Sequence, residues 1–398
     1  MVYPGHSIKN ISVVRVVFDF YPTKGGSVSH IIELSKKINY YLENQIILAP
    51  DFDLECKKFD EKFDIPIIRV KYYPIRAILG IPIIPLINLL YMFNVYFQIR
   101  KMKRPDLIHT HGIYATTFGT IIGRILHIPV VGMLHGSTSA YSKISGRYET
   151  ILAKLFKPTH ALVLDDGSRA PEKFKKLWKN EVTVVYHGID TNFFEPKPKN
   201  KELIKKSRLT EPDFVVLSTS SLIPVKNIDL AIKSFGIFFN KTKANSYLLL
   251  AGEGTSKDEL VRLSKEYSLE KNVKFLGGVP IDLVTDYISI ADVVIATSLY
   301  SNMNRSIQEA MACERPVVVF DSSGTSKLIR HMENGILVTS GDINNFAEQL
   351  KLLYENPELR KALGKNARKT IIKERSWETR IKKELDVYKK ILGEKNGK

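Results

Sequence analysis

Four stretches of this 398-residue sequence carry residues whose types and spacing could do chemistry. The first is glycine at a strand end, in YPTKGGSVSHIIELSKKI near the start and LLLAGEGTSKDELVRL in the second half. Gly25 and Gly26 lack a Cβ, so a phosphate or sugar can approach the backbone, and the helix that follows aims its N-terminal N–H groups at negative charge. A tight turn needing positive φ accounts for that pair equally well, and it is the expected reading of Gly252 and Gly254. The second is a set of histidines closing apolar strands, His109 and His111 in DLIHTHG and His135 in VVGMLHGS, where open α/β sheets place their ligands. A structural role, bonding loop carbonyls, is expected of His109 and His111, whereas the strand-end position favours a ligand role for His135. Asp106, His109 and His111 match no usual zinc spacing and bring no cysteine.

The third is Lys226 in STSSLIPVKNIDLAIKSF, a strand-end lysine just ahead of a helix. An ammonium there adds a point charge to a helix N-terminus and can meet a diphosphate; the alternative is a lysine that is simply solvated. The fourth and most specific stretch is ADVVIATSLYSNMNRSIQEAMACERPVVV. Its strand ends in a polar loop, residues 301–305, and a short helix then carries Glu309 toward the next strand. Amid Ile307, Ala310, Met311 and Ala312 a carboxylate packs poorly, so Glu309 is expected to bond a ligand or a backbone group.

The elements that must position these residues follow from alternation of short apolar runs with amphipathic stretches, the pattern of βαβ units in a parallel sheet. ISVVRVVFDF, NQIILAP, IPIIRV, DLIHTH, IPVVGML, HALVLD and EVTVVYHG read as strands of a first half. FVVLSTSS, SYLLLAGEG, NVKFLGG, ADVVIATS, RPVVVFDSSG and GILVTS form a second series. Between them EPKPKNKELIKKSRLTEPD is rich in Lys and Pro and reads as a linker. The expectation is α/β, two Rossmann-like domains at 1–195 and 214–375, with 196–213 as the linker region and a helix at about 376–392, around Trp377, docking back on the first domain.

Composition narrows the partners. With 59 Lys+Arg against 42 Asp+Glu the formal charge is +17, which points to nucleic acid, acidic lipid or a phosphate-bearing small molecule. Nucleic acid is set aside, because the lysines are spread over linker and tail and no recognition module is present. A 44% hydrophobic fraction excludes disorder as the main state. Cys56 and Cys313, far apart and with no CxxC, cannot build a disulfide framework or a cysteine-zinc site and fit a reducing cytosol. Lys9 and Arg15 interrupt the apolar start, arguing against a cleaved signal peptide. Residues 77–99 are uncharged and long enough to span a bilayer, but Gly80, Pro82, Pro85, Asn88 and Asn94 argue against spanning.

Taken in order, the Gly25-Gly26 loop, DLIHTHG, IPVVGMLHG, VVYHGIDTNFF, PVKNIDLAI, LLLAGEG, NVKFLGGVP, ADVVIATS, QEAMACERPVVV, NGILV and SWETRI make the whole chain resemble the retaining glycosyltransferases of family four. These are two-domain enzymes of the GT-B fold that bind a nucleotide-sugar in an interdomain cleft. The resemblance implies a donor site in the second half, an acceptor site in the first, and a C-terminal helix crossing back to the N-terminal domain. Several positions depart from the family pattern. Ser301 stands where a glutamate is usual eight residues before Glu309, Ser221 replaces the arginine that accompanies the phosphate-binding lysine, and Glu314 follows the motif cysteine in place of glycine. His187 replaces an asparagine, Ser323-Gly324 a doubled glycine, and Lys327 stands where an acid is common. Arg305 is expected to restore the cation lost at Ser221.

The implied activity is transfer of a hexose, with retention, from a UDP- or GDP-sugar to a glycan or lipid-linked acceptor, with no cofactor and no metal. The catalytic residues implied are His135 beside the sugar ring, Lys226 on the diphosphate and Glu309 on the ribose. The implied donor contacts are Gly25, Gly26, Ser221, Gly277, Val279, Ser301, Asn302, Met303, Asn304, Arg305, Ser306 and Ile307, with the backbone around Gly277 and Val279 meeting the base. The departures at Ser221 and Ser301 support a rival reading, a weakened or inactive paralogue acting as scaffold or partner subunit. Between Asp64 and Asp106 there is no acid, while Arg69, Lys71, Arg76, Arg100, Lys101, Lys103 and Arg104 bracket residues 77–99. The first domain is therefore expected to dock peripherally on an anionic membrane surface from the cytoplasm. The alternative is a helix buried on the first sheet.

Overall fold

The computed structural model describes residues 8–23, 26–52, 54–72, 77–78, 81–82, 84–135, 143–165, 167–207, 209, 214–299, 304–322 and 324–393. The chain divides into two compact units, Met1–His187 together with Arg380–Lys398, and Gly188–Thr379. The first contains β1 (Ile8–Val17), α1 (Gly26–Asn39), β2 (Leu42–Asp51), α2 (Leu54–Asp60), β3 (Ile67–Lys71), the two-residue strands β4 (Ala77–Ile78) and β5 (Ile81–Pro82), and α3 (Ile84–Lys101). It continues with β6 (Leu107–His111), α4 (Ile113–Leu126), β7 (Val130–Leu134), α5 (Lys143–Leu155), β8 (His160–Leu164), α6 (Ala170–Trp178) and β9 (Val182–Val185). The seven apolar runs of the first half are the seven strands of one sheet, ordered β3-β2-β1-β6-β7-β8-β9 with every pair parallel.

The second unit contains α7 (Lys201–Lys206), β10 (Phe214–Ser218), α8 (Ile228–Thr242), β11 (Ser246–Ala251), α9 (Lys257–Glu266), β12 (Val273–Gly277) and α10 (Ile281–Ile290). After these come β13 (Val293–Ala296), α11 (Arg305–Ala312), β14 (Val317–Asp321), β15 (Ile336–Thr339), α12 (Ile343–Glu355) and α13 (Pro357–Glu374). Its parallel sheet has the order β12-β11-β10-β13-β14-β15. Helix α14 (Trp377–Leu392) starts in this unit, and its residues from Arg380 onward belong to the first. In both sheets the strand order turns back at the first strand of the unit, between β1 and β6 and between β10 and β13. The crevice outside the carboxyl ends of the strands at such a switch is where doubly wound sheets hold ligands.

Continuous apolar runs form these strands because both sheet faces are covered by helices. In the second unit Val216, Leu248, Leu250, Ile295 and Val318 pack one way, against Phe235 of α8 and Phe346 of α12. Their neighbours Val215, Leu217, Leu249, Val294 and Val319 pack the other way, against Ile288 of α10, Met311 of α11 and Ala367 of α13. Each fully buried side chain of this kind contributes about 1.5–3 kcal/mol. In the first unit Val14, Val16, Ile108 and Val130 meet Tyr91 and Val95 of α3 and Ile122 of α4.

The opposite face of β1 carries an exception, Arg15, whose Cα partner on β6 is His109. Arg15 and Glu384 of α14 have no exposed side-chain surface and meet at 2.9 Å. Arg380, one turn earlier on α14, reaches the other Glu384 oxygen at 2.7 Å. The Tyr388 hydroxyl donates to Glu384 at 2.7 Å, Arg15 Nε donates to Gln45, and Gln45 in turn donates to the Ser35 carbonyl at 3.0 Å. Burying ions costs several kcal/mol each, and partners on every side are what offset it.

The lysine-rich stretch expected as a linker is part of the second unit. α7 is capped by Asn200, whose side chain accepts from the Leu203 N–H at 3.0 Å, and Leu203, Ile204 and buried Leu209 join the core of that unit. Residues 188–195 and 376–379, expected in the first domain and its docking helix, also lie in the second unit. Their contacts give the reason: Ile189 bonds the Arg375 carbonyl at 2.8 Å, Arg368 donates to the Phe194 carbonyl at 3.0 Å, and a Cβ on Gly188 would overlap the Trp377 indole.

Glu384→Ala leaves two buried guanidiniums uncompensated and should lower unfolding stability by about 3–5 kcal/mol, read as a shift of the urea midpoint at pH 7. Burial works to raise the Glu384 pKa, but Arg380, His109 and Arg15, with the Tyr388 hydroxyl, outweigh it and hold the carboxyl well below the usual range. The unfolded chain therefore takes up this proton first, so the stabilisation is complete above the ordinary carboxylate pKa and declines as pH falls below it. Glu384→Gln should flatten that acid limb. An unchanged midpoint for Glu384→Ala would show that the cluster does not hold α14.

Candidate active site

Four loops at the carboxyl edge of the second sheet are laced together. Leu222, after β10, donates to the Glu253 carbonyl at 2.9 Å, and Ser256 donates back to Leu222 at 2.9 Å. Glu253 accepts from the Gly278 N–H after β12 at 3.3 Å. Thr297, after β13, donates to the Asn227 carbonyl at 2.8 Å, and the Leu299 N–H donates to the Asn227 side chain at 3.2 Å. Small residues permit this closeness. A Cβ on Gly252 would overlap the Ser220 carbonyl and one on Gly254 the Leu222 carbonyl, and neither glycine has positive φ. Close approach, not the expected turn, is thus what requires them. Gly277 does have a φ of 73°, which suits glycine.

Lys226 ends a single 3-10 turn, Pro224–Lys226, and Asn227 passes through the left-handed region at φ 49° into α8. Asparagine tolerates that conformation better than most residues. Lys226 is half-buried at this helix N-terminus, and Ser221 is exposed in the same loop. Arg305, the first residue of α11, places Nε 3.1 Å from Glu309, which is 8% exposed. The structure thus joins the two residues that were expected to serve phosphate and ribose separately, and it gives Glu309 a partner that is neither ligand nor backbone. A guanidinium carries five N–H donors, so this bond is compatible with contact to a second anion.

Around the start of α11 the other expected contacts divide. Ser306 donates to the Asn304 side chain at 2.8 Å. Ile307 packs its side chain in the core, and its N–H already bonds Asn304 at 3.2 Å, so it offers a ligand little beyond shape. Val279 is half-buried against the same core, leaving its backbone as the recognising part. Ser298 Oγ, Asn304 Nδ2 and Ser322 Oγ have no hydrogen-bond partner among the described residues, and all three residues line one cavity with Ala296, Ile307 and Thr325. Ser298 and Ser322 were not singled out by sequence, although Ser322 directly follows β14 and Ser298 comes two residues after β13. Gly26 begins α1, whereas Gly25, Ser301, Asn302 and Met303 lie outside the described residues.

The first sheet's edge holds histidines. His109 Nδ1 lies 2.6 Å from the Tyr388 hydroxyl and 3.4 Å from Glu384, so its role is structural, through α14 and not the expected loop carbonyls. His111 lies 3.3 Å from Arg15 Nη1 and 3.4 Å from His135. His30 of α1 lies against His135, ring centres 5.6 Å apart, and bonds His187 at 3.2 Å. Burial is the largest cause pushing these rings toward the neutral form. His187 adds to it for His30, Arg15 for His109 and His109 for His111, all well below the ordinary value, and His135 is pushed down to about 3 by burial, His187 and Arg380. Among the described residues no group of three or more His, Cys, Asp or Glu is arranged to hold a metal ion. The sequence shows Arg15 only as a charge interrupting the apolar start, and His30, Arg380, Glu384 and Tyr388 carry no site signal in it. The signal available was that Arg15, His109 and His111 fall on one face of neighbouring strands.

The chain matches two family descriptions, Glycosyltransferase Family 4 over residues 24–193 and Glycosyl transferases group 1 over residues 199–370. It is 30% identical over 204 residues to the putative glycosyltransferase EpsD of Bacillus subtilis, a match covering 50% of this chain and 52% of that protein. The chain thus spans about half the length of that relative, and 35% of a Staphylococcus aureus poly(ribitol-phosphate) alpha-N-acetylglucosaminyltransferase to which it is 33% identical over 44% of its own length. It is 27% identical to the Campylobacter jejuni N-acetylgalactosamine-N,N'-diacetylbacillosaminyl-diphospho-undecaprenol 4-alpha-N-acetylgalactosaminyltransferase, covering 92% of this chain and 91% of that one. Among solved structures, Anabaena HepE in complex with UDP superposes with a TM-score of 0.76 at 23% identity, covering 94% of this chain and 98% of that one, a likeness of fold. Two doubly wound sheets and family matches on both halves lead to one conclusion: the chain belongs to the group 1, family 4 glycosyltransferases of the GT-B fold.

Proposed function

We propose that the chain is a retaining hexosyltransferase that moves a sugar from a UDP- or GDP-sugar to a glycan or lipid-linked acceptor at the cytosolic membrane face. The observation that carries this reading is the lacing of four strand-end loops at the carboxyl edge of the second sheet, one of which carries Lys226, together with the Arg305–Glu309 pair at the start of α11. Departure of a sugar from a diphosphate builds negative charge on phosphate and positive charge at the anomeric carbon. Preorganised cations and N–H donors aimed at the phosphate are what lower that barrier. Lys226, Arg305 and the first N–H groups of α11 would supply them in place of a metal ion. Glu309 would accept from the ribose hydroxyls while still bonded to Arg305. The backbone at Gly277 and Val279 would meet the base, and His135 of the first unit would meet the transferred sugar. Ser298, Asn304 and Ser322 offer uncharged groups for sugar hydroxyls. Support for a nucleotide-sugar donor and a lipid-linked acceptor comes from HepE, solved with UDP, and from the name of the Campylobacter relative.

The membrane part of the proposal rests on α3 and α4. One face of α3 is buried through Tyr91, Met92, Val95 and Ile99, whereas Leu89, Leu90, Phe93 and Phe97 are exposed, Phe93 by 58%. A groove between the helices is lined by Leu89, Phe93, Tyr96, Phe118, Ile121 and Ile125, all apolar or aromatic. Arg100, Lys101, Lys103 and Arg104 follow on the exposed side, and among the described residues no helix is long and apolar enough to cross a membrane. Apolar area entering the interface beside cations suits an anionic bilayer, each cation adding about 1 kcal/mol. Arg69 does not belong to this patch, because it is held by Asp60 at 2.7 and 2.8 Å and by two backbone carbonyls. Arg76 lies outside the described residues.

Transfer from a panel of UDP- and GDP-sugars to lipid extracts tests the activity. Lys226→Ala should lower turnover by about 2–4 kcal/mol of transition-state stabilisation, roughly 30- to 1,000-fold, with an unchanged melting temperature. Arg305→Ala should weaken donor affinity as well, and unaltered donor affinity and turnover would remove Arg305 from the phosphate. For the membrane, liposome flotation at low salt should carry the protein upward in proportion to anionic lipid, and charge reversal of Arg100, Lys101, Lys103 and Arg104 should release it. Protein that stays at the bottom of the gradient would assign the α3 face a structural role and leave a soluble acceptor.

A further inference from the structure

A chain of side chains leads from the buried ion cluster to His135, and each link fixes the next. Arg15 Nη1 stands 3.3 Å from His111 Nε2. A guanidinium only donates, so His111 Nε2 must be the nitrogen with the lone pair, and the ring proton sits on Nδ1. That Nδ1 stands 3.4 Å from His135 Nε2, and ring centres 5.6 Å apart with planes inclined by 21° are compatible with an N–H···N bond between the ring edges. His135 Nε2 therefore accepts, and a neutral His135 carries its proton on Nδ1. We propose that Arg15 and His111 are positioning residues that act in series to hold His135 as the Nδ1–H tautomer, so that His135 meets its ligand as a hydrogen-bond donor and not as a base.

The surroundings keep the relay neutral. His111 is faced by Arg15 of β1, His109 of its own strand, His30 of α1 and His135; His135 is faced by His111, by His30, by His187 after β9 and by Arg380 of α14. Every charged neighbour in that set is a cation, and Glu384 is engaged by Arg15 and Arg380. A second proton on either ring would face these cations and would also destroy an acceptor that the relay needs. A donor N–H with no charge recognises an oxygen lone pair without competing for protons, which suits a sugar hydroxyl or ring oxygen. The assignment of that oxygen to the transferred sugar rests on the proposed function; the tautomer itself does not.

Long-range ¹H–¹⁵N spectra of the histidine-labelled protein read the tautomers directly at pH 7. The expected result is Nδ1–H with an unprotonated Nε2 for both His111 and His135. An Nε2–H tautomer or an imidazolium at His135 overturns the proposal without any variant being made. Arg15 also holds Glu384, so His111 is the cleaner place to cut the relay. His111→Leu should let His135 redistribute between tautomers and lower kcat roughly tenfold, the order of one lost hydrogen bond, with acceptor KM unchanged. His111→Asn can present an amide N–H near the Nδ1 position and should restore both the tautomer and kcat. A His135 tautomer that is the same in His111→Leu as in the native protein overturns the relay. If the tautomer responds as expected while kcat does not, the relay stands and it is the placement of His135 at the sugar that fails.

Discussion

Glu384 is a carboxylate with no exposed side-chain surface, set between Arg15 at 2.9 Å and Arg380 at 2.7 Å. Three buried ions can persist only where opposite charges pair, and the arrangement of the first sheet's centre follows from that requirement. Tyr388 donates its one proton to Glu384, which leaves its oxygen to accept from His109. Gln45 turns its carbonyl to Arg15 and its amide to α1. Apolar residues of the same volume could hold α14 about as well, since buried ion clusters seldom exceed them in stability. What an apolar contact lacks is polarity, a direction of donation that can be handed to a neighbouring ring.

The second unit solves a different problem, bringing backbone from separate loops close together at one edge of its sheet. Gly252 and Gly254 let the loop after β11 touch the carbonyls of the loop after β10, and Asn227 ties that loop to the one after β13. The ties are backbone bonds at 2.9 Å together with bonds from Thr297, Asn227 and the Glu253 carboxylate. The long side chains Lys226 and Arg305 are thus mounted on a frame already fixed. The two edges also differ in charge: neutral imidazoles on the first sheet, cations on the second.

Strands were legible in this sequence because burial on both faces writes them as unbroken apolar runs, and all thirteen runs read as strands belong to the two large sheets. Lys226, Arg305 and Glu309 were legible because each stands at a strand end or helix start beside short-range signals. The ion cluster was not. Arg15 in ISVVRVVFDF is only an interruption until Glu384 is known to meet it from 369 positions away. The lysine-rich segment misled for a related reason: α7 packs through a few apolar residues, Leu203, Ile204 and Leu209, whose contribution composition averages away.

Arg305 breaks two local rules at once. At the first position of α11 it places a cation against the positive end of the helix dipole, which costs about 0.3–1 kcal/mol. Its bond to Glu309 runs in the less favourable order, arginine N-terminal to glutamate at i, i+4. Neither choice improves the helix, and an arginine with 44% of its side chain exposed contributes little packing. A residue that departs from local rules at a helix start is a candidate for function. An anion at that helix start would offset the repulsion between the guanidinium and the dipole. The dipole would then attract the same ligand as the guanidinium, and Glu309 would orient the arginine toward it. Ser221, in a loop tied through Asn227 to the one after β13, brings no charge to such an anion, whereas Arg305 does.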